Sequence, residues 1–226
     1  MRKAIEDYGM IKSGDKICVG LSGGKDSIVT LISLASIRKF LPQKFELCSA
    51  TVDLGFGTDY SPMQNLCDDM DVEYMIQPTD IGDVVFNIRK EKNPCSLCSK
   101  MRKGALHSAA ISMGANKIAL GHNNDDAIET FFLRLLYEGR IGCFSPVSFL
   151  DRTNLTQIRP LIYAGESDVL SALKRTPYKA ITNVCPANGN TKRQQMRDML
   201  EQLYKKDGDV KSRVFGALKR SHIDGW

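Results

Sequence analysis

Ser22-Gly23-Gly24-Lys25-Asp26-Ser27 is the stretch of this 226-residue chain that decides its fold. Residues 16–21 before it (KICVGL) are short, apolar and β-branched at two positions, which is typical of a buried strand. Residues 28–34 after it (IVTLISL) are apolar enough for a helix that is covered on most sides. A strand, a glycine turn and a helix N-terminus together direct backbone N–H groups at one point, where an anion is the natural occupant. The hexapeptide therefore predicts a phosphate-binding loop.

This loop differs from a Walker A motif, which requires G-x-x-x-x-G-K-[ST]. Val19 occupies the position of the first glycine, and Asp26 follows the lysine. A carboxylate inside an anion site repels phosphate unless a cation lies between them, so Asp26 indicates Mg²⁺. The alternative is a tight glycine turn that merely precedes a helix.

The first half of the chain alternates strand-like and helix-like segments, which predicts an α/β fold with a parallel sheet and helices on both faces. In such sheets ligands bind beyond the carboxyl ends of the strands. Asp53 ends one predicted strand and Gly121 follows another, and we expect both to line one crevice with the glycine loop. Residues 1–156 are predicted to form this nucleotide-binding domain, and residues 157–226 a mainly helical, basic extension.

Asp125 and Asp126 begin the predicted helix after Gly121. Carboxylates are favoured at a helix N-terminus, so both residues are consistent with a plain helix cap. Beside a phosphate loop, however, two adjacent acids are costly without cations, which favours a metal and nucleotide site. His122 is expected either to contact the nucleotide or substrate or to be structural.

The cysteines divide into two groups. An odd total of seven argues against a disulfide framework. Cys18, Cys48 and Cys67 lie in apolar patterns and are predicted to be buried. Cys95 and Cys98 form a C-x-x-C that we place in a basic loop just before a helix starting near residue 99, where the helix N-terminus lowers thiol pKa values.

Charge and hydropathy restrict the partners of the protein. The formal net charge is +5, and residues 192–220 contain nine Lys/Arg against four Asp/Glu. A second basic cluster surrounds the C-x-x-C and consists of Arg89, Lys90, Lys92, Lys100, Arg102 and Lys103. Basic surface near a candidate active site suits RNA. Charge alone favours a solvated helix face, and only the motifs favour RNA. No run of 18 apolar residues and no apolar export segment is present, so we expect a cytoplasmic protein that does not contact membranes.

The sequence of the loop resembles the SGGxDS signature of the PP-loop pyrophosphatase superfamily, whose members split ATP into AMP and pyrophosphate. Four further motifs follow in the order and spacing of one branch, the tRNA 2-thiocytidine synthetase family (tRNA-cytidine 2-sulfurtransferases). They are PCSLCS at 94–99, GHNNDDAIET at 121–130, IRPL at 158–161 and SHID at 221–224. The resemblance covers nearly the whole chain.

The resemblance implies a site and its cofactors. ATP would be bound by Ser22, Gly23, Gly24, Lys25, Asp26, Ser27, Asp53, Gly121, Asp125 and Asp126, with Mg²⁺. Asp26 and Asp126 are the implied catalytic residues. Cys95, Cys98 and Cys185 are the implied ligands of a [4Fe–4S] cluster with one iron left open.

The implied reaction is ATP-dependent thiolation of tRNA. The C2 oxygen of cytidine 32 in the anticodon loop would be adenylated and then replaced by sulfur. The implied partners are tRNA and a sulfur donor such as a cysteine desulfurase, and the family suggests a homodimer.

The chain departs from the family's sequence pattern at two places, and three alternatives to cytidine thiolation remain. Thr182 stands where family members usually carry a further cysteine, and Cys143 lies in a segment that differs from the family pattern. Cys143 is therefore either a persulfide carrier or a thiol without a role. The alternatives are thiolation of another tRNA base, a small-molecule sulfur transferase, and a cluster- or sulfur-carrying binding protein without ATP turnover. The intact SGGKDS argues against the last.

Overall fold

The computed structural model describes residues 1–90, 94–181, 185–186 and 192–226. A six-stranded sheet forms the centre of this part, with strand order β3-β2-β1-β4-β6-β5. Its strands are β1 (Lys16–Gly20), β2 (Glu46–Asp53), β3 (Glu73–Pro78), β4 (Lys117–Ala119), β5 (Val147–Leu150) and β6 (Leu155–Ile158). All neighbouring pairs are parallel except β5 and β6, which are antiparallel.

Helices precede, connect and follow these strands. They are α1 (Arg2–Asp7), α2 (Lys25–Ile37), α3 (Ser61–Asp69), α4 (Ile81–Asp83), α5 (Pro94–Ser112), α6 (Asn124–Tyr137), α7 (Glu166–Lys174), α8 (Lys192–Lys206) and α9 (Val210–Arg220). A π-helical turn, Val84–Ile88, continues α4, and a 3₁₀ turn, Ile223–Gly225, follows α9. No helix within the described ranges is long and apolar enough to cross a membrane.

The two faces of the sheet bury different helices, as the alternation of side chains along a strand requires. On β1, Ile17 and Val19 belong to a large core that includes residues of α2, α6 and α8. Cys18, between them, belongs to a second core with Ala109 and Ala110 of α5. The predicted α/β fold with helices on both faces is therefore confirmed.

The C-x-x-C lies inside a helix, so its predicted placement in a loop is wrong. Helix α5 begins at Pro94, and Cys95 and Cys98 occupy its first turns. The physical reason is the proline: its fixed φ suits the first position of a helix, where its missing N–H costs nothing.

The hairpin of β5 and β6 was not predicted. Its second strand, Leu-Thr-Gln-Ile, is four residues long and half polar, so its sequence pattern is weak. In the structure β6 pairs with β4 and is largely buried. This strand crosses residues 156 and 157, the predicted domain boundary, so that boundary does not separate the sheet from the helical segment.

Candidate functional site

A cavity of about 810 Å³ opens at the carboxyl ends of β1, β2 and β4. This is the edge at which ligands bind in parallel α/β sheets. The predicted site residues that line it are Ser22, Gly24, Asp26, Ser27, Gly121, Asp126, Cys95, Cys98 and Cys185. The structure thus brings the phosphate loop, the start of α6 and all three predicted cluster cysteines to one cavity.

The start of α2 is open to an anion. Its N-cap is Gly24, so no side chain caps the first N–H groups of the helix. Ser27 Oγ donates to the carbonyl of Gly24 at 2.8 Å, and Ser22 Oγ donates to Ser27 Oγ at 3.2 Å. The two serine hydroxyls therefore stabilise the turn by hydrogen bonds within it.

Gly121 allows the β4–α6 loop to approach this turn closely. A Cβ atom at Gly121 would lie 2.8 Å from the carbonyl carbon of Asp26 and 3.0 Å from the nitrogen of Ser27. Real Cβ atoms do not approach backbone so closely. The two loops that line the cavity therefore touch backbone to backbone, which only glycine permits.

Asn123 joins the two predicted catalytic carboxylates. Its side-chain amide donates to Asp26 Oδ1 at 2.9 Å, and its backbone N–H donates to Asp126 Oδ2 at 3.0 Å. Its side-chain oxygen accepts from the backbone N–H of Asp126, so Asp126 is also a member of a capping box. Burial, together with the negative charges of Glu129 and Asp26, raises the pKa of Asp126. Such a cluster of acids favours a bound cation.

Lys25 and Asp125 do not line the cavity, and their ATP-binding roles stay predictions. The ammonium of Lys25 pairs with Asp26 at 2.8 Å and with Glu166 of α7 at 2.9 Å. The carboxylate of Asp125 accepts from the backbone N–H of Glu166 at 2.7 Å and pairs with Lys211 of α9 at 2.6 Å. Asp125 therefore joins α6 to α7 and α9.

Asp53 and Gly23 also lie outside the cavity lining. Asp53 ends β2 as predicted, but its carboxylate accepts from the backbone N–H of Gly55 at 3.1 Å and so closes a local turn. Gly23 has a φ of +77°, and its carbonyl accepts from the backbone N–H of Ile181 at 3.0 Å. Their contacts with ATP stay predictions.

The three cavity cysteines influence one another. Burial raises the pKa of Cys98, the Arg102 cation lowers it, and the thiols of Cys185 and Cys95 raise it. Within the described ranges, no three His, Cys, Asp or Glu side chains are close enough together to form a metal site as they stand. The three thiols that line the cavity still supply the donor type that an iron–sulfur cluster requires.

The other cysteines are buried apart from the cavity lining. Cys18, Cys48 and Cys67 are fully buried, as predicted. The thiol of Cys143 donates to the carbonyl of Ala127 at 3.3 Å, and burial raises its pKa to about 11. A buried, protonated thiol is a poor nucleophile, so the structure favours Cys143 as a thiol without a role.

Two arginines of the basic segment 192–220 form ion pairs with an acidic side chain of the protein itself. Glu129 of α6 is buried and pairs with Arg193 at 3.2 Å and with Arg197 at 2.9 Å. Arg193 also approaches Asp126 at 3.4 Å. Helix α8 is thereby held on α6 beside the cavity. Arg102 and Lys103, by contrast, are exposed and line the cavity.

Arg159 is a cavity residue to which the sequence analysis assigned no role. It follows β6 directly, is 6 % exposed and lines the cavity, with its guanidinium 4.7 Å from the centre of the Phe144 ring. The available signal was its position in the IRPL motif, although the strand that carries it was not predicted.

The sequence of the chain matches a known family and named relatives. The PP-loop domain family matches residues 1–203. The chain is 36 % identical to the tRNA-cytidine(32) 2-sulfurtransferase of Dechloromonas aromatica, over 98 % of this chain and 79 % of that protein. It is 38 % identical to the protein of the same name from Bordetella petrii, over 98 % and 70 %.

Among solved structures, a tRNA thiolase has a similar fold. It is the U34-tRNA thiolase NcsA from Methanococcus maripaludis with its [4Fe-4S] cluster, which superposes with a TM-score of 0.79 at 24 % identity. The match covers 97 % of this chain and 76 % of that chain. At this identity the likeness concerns the fold.

Proposed function

This chain belongs to the tRNA-cytidine(32) 2-sulfurtransferases, a family of ATP-dependent PP-loop enzymes, and from this premise we propose that it replaces the C2 oxygen of cytidine 32 in tRNA with sulfur. The observation that carries the proposal is the single cavity shared by the phosphate loop, two carboxylates and three cysteines. Activation by ATP and delivery of sulfur can then occur on one bound base. The proposed setting is the cytoplasm, with a cysteine desulfurase as sulfur donor.

The first step activates the base. The C2 oxygen of cytosine attacks the α-phosphorus of ATP, a P–O bond forms, and the bond to the leaving pyrophosphate breaks. The N–H groups at the start of α2 hold the phosphates, and the Ser22 and Ser27 hydroxyls keep their turn in shape. The oxygen, a poor leaving group, becomes part of AMP.

Asp26 and Asp126 are the carboxylates that would hold Mg²⁺ on the phosphates. Mg²⁺ in such sites takes one or two carboxylates together with phosphate oxygens, which fits two acids in one cavity. When bound, the ion would neutralise charge on the phosphates and on the acids themselves. Asn123 donates a hydrogen bond to each of these carboxylates and so restricts the orientation of both.

The second step replaces the oxygen. A sulfur nucleophile attacks C2, the C2–O bond breaks, and AMP leaves with the oxygen. Cys95, Cys98 and Cys185 would hold a [4Fe–4S] cluster, which when bound supplies an iron that no protein thiolate occupies. The placement of these thiols along the cavity lining keeps the sulfur chemistry beside the adenylated base.

A single-stranded loop base suits this cavity, since it can enter without the opening of a duplex. Arg102 and Lys103 of α5 line the cavity, while Arg89, Lys90 and Lys100 are exposed in the same region of the chain. These cations would bind the phosphates that flank the base. Lys92 of the same cluster lies outside the described residues.

The direct test is thiolation of tRNA by the anaerobically purified protein with ATP, Mg²⁺, a reductant and a sulfur donor. We expect 2-thiocytidine at position 32, detected by mass spectrometry of nuclease fragments, and one AMP for each sulfur. If the sulfur is found at another base, that base and not cytidine 32 is the target. Pyrophosphate release with a small molecule but not with tRNA would overturn it.

The cysteine assignment makes a separate prediction. Cys98→Ser is expected to lower the bound iron about tenfold or more and to abolish thiolation, because a hydroxyl is a poor substitute for a thiolate ligand. Iron and sulfide analysis with the visible spectrum measures this.

Cys143→Ala is the matched control for Cys98→Ser. Cys143 is buried like Cys98 but lies outside the cavity lining, so this variant should retain both iron and activity. Equal loss of iron in the two variants, or no iron in the wild type, would contradict the cluster assignment.

A further inference from the structure

Arg159 is a buried cation without an anionic partner in the described residues. Nε donates to Nδ1 of His122 at 3.3 Å, and Nη1 donates to the carbonyl of Ser145 and, at 3.5 Å, to Ser148 Oγ. With its amide oxygen turned toward Arg159, Gln157 accepts from Nη2 and, at 3.2 Å, from Nη1. No carboxylate in residues 1–90, 94–181, 185–186 or 192–226 forms an ion pair with this guanidinium. Its charge therefore remains uncompensated beside the cavity.

The bond from Arg159 decides which nitrogen of His122 carries the proton. A guanidinium has only donors, so Nδ1 must be the acceptor, and the neutral ring carries its proton on Nε2. The ring also packs on Phe144, with centroids 4.9 Å apart. Since His122 lines the cavity and Nδ1 is occupied, Nε2–H is the group that can meet a ligand.

The position of His122 in the fold points to a phosphate. It directly follows Gly121, whose backbone packs against that of Asp26 and Ser27 at the start of α2. That is the end of the cavity where the N–H groups of α2 hold anions. A neutral donor backed by an uncompensated cation suits an anionic oxygen at this place.

We propose that Arg159 holds His122 as a neutral imidazole whose Nε2–H donates to a non-bridging oxygen of the α-phosphate during adenylation of the base. His122 is then a catalytic residue and Arg159 a positioning residue that acts through it. This inference rests on the proposed function and adds to it two residues of the activation step.

Burial, together with two neighbouring cations, keeps the His122 ring neutral. Burial lowers the pKa of His122 to about 3, and the Arg159 and Arg193 cations add to this. Asp26 and Asp126, which line the same cavity, are the nearby acids of the opposite sign. Because the pKa is lowered, the neutral ring persists throughout the range in which an ordinary histidine, with a pKa of about 6.5, would take up a proton.

Nitrogen NMR of the full-length protein tests the first half of the proposal. The chain has three histidines, so the signal of His122 can be assigned with a His122→Gln variant. We expect the Nε2–H tautomer with no titration between pH 8 and pH 5. In Arg159→Met, which removes the donor that faces Nδ1, we expect a mixture of the two neutral tautomers. A wild-type ring that titrates with a pKa near 6.5, or that carries its proton on Nδ1, overturns the proposal.

Pyrophosphate release at saturating tRNA tests the second half. His122→Leu is expected to lower kcat about 100-fold with little change in the KM for ATP, as for the loss of one oxyanion-hole donor. His122→Gln retains a donor and should recover most of that loss, which a merely structural role would not produce. Wild-type kcat in His122→Leu, or equal loss in both variants, overturns the catalytic role.

Different experimental results would refute this inference and the proposed function. Pyrophosphate release precedes sulfur transfer and does not use the cysteines, so it reports on the activation step in which His122 takes part. If pyrophosphate release depends on His122 as expected but no sulfur enters cytidine 32, the thiolation proposal is wrong and the role of His122 is supported.

Discussion

Gly121→Ala is expected to lower ATP turnover about 100-fold or more while the protein stays folded. The new Cβ would lie 2.8 Å from the carbonyl carbon of Asp26, so the β4–α6 loop or the start of α2 must move. Both carry groups of the proposed activation step. A displacement of about 1 Å in such a site is enough to cost 100-fold in rate. Pyrophosphate release in the presence of tRNA, followed with increasing ATP, measures the effect.

Gly104→Ala is the matched control for this substitution. Gly104 lies in α5, and a Cβ atom there meets nothing within 4 Å. The same added methyl group is expected to leave turnover unchanged and to stabilise the helix by about 0.5–1 kcal/mol. If Gly121→Ala turned over ATP like the wild type, the close packing of the two loops would be unimportant for catalysis.

Lys117→Met is expected to reduce the free energy of unfolding by about 3–5 kcal/mol, because it leaves a buried carboxylate without its cation. The ammonium of Lys117 pairs with Asp15 at 2.8 Å and donates to the carbonyl of Met10 at 2.8 Å. The two side chains are only 8 % and 6 % exposed. Burial raises the pKa of Asp15, but hydrogen bonds from Lys117, the backbone of Lys12 and Asn116 overcome this and lower it. Denaturant unfolding at pH 7 measures the loss.

The control for this prediction adds Asp15→Asn to Lys117→Met. Asparagine keeps an acceptor for the backbone N–H of Lys12 but carries no charge, so the double variant should recover a large part of the lost stability. Lys117 begins β4, whereas Gly121 follows its other end, so turnover of the folded protein at low temperature should be unchanged. A loss below about 1 kcal/mol in Lys117→Met would show that the pair behaves like an exposed one.

Local sequence patterns predicted the fold because each of its central strands and helices is a contiguous segment with a clear apolar pattern. The apolar runs around the glycine loop predicted β1 and α2, and Asp53 indeed closes β2. The elements that were missed have weak local patterns. Strand β6 is half polar and gains its stability from pairing with β4, and the start of α5 depends on Pro94 at a position assigned to a loop.

The candidate site was predicted in its composition but not in the direction of its side chains. Asp125 and Asp126 are neighbours at one helix start, yet Asp126 lines the large cavity and Asp125 reaches α7 and α9. Successive helical residues point about 100° apart, so packing decides which of two adjacent acids meets the ligand.

The residue types, their order and the strand–loop–helix signature were thus readable from the chain alone: a phosphate loop and a tandem acid after predicted parallel strands, and a C-x-x-C. Tertiary structure alone decided that Arg159 contacts His122 and that Glu129 binds two arginines of α8. The physical reason is that these contacts join residues far apart in sequence. Charge and hydrogen bonding in a cavity depend on such neighbours, which no local pattern records.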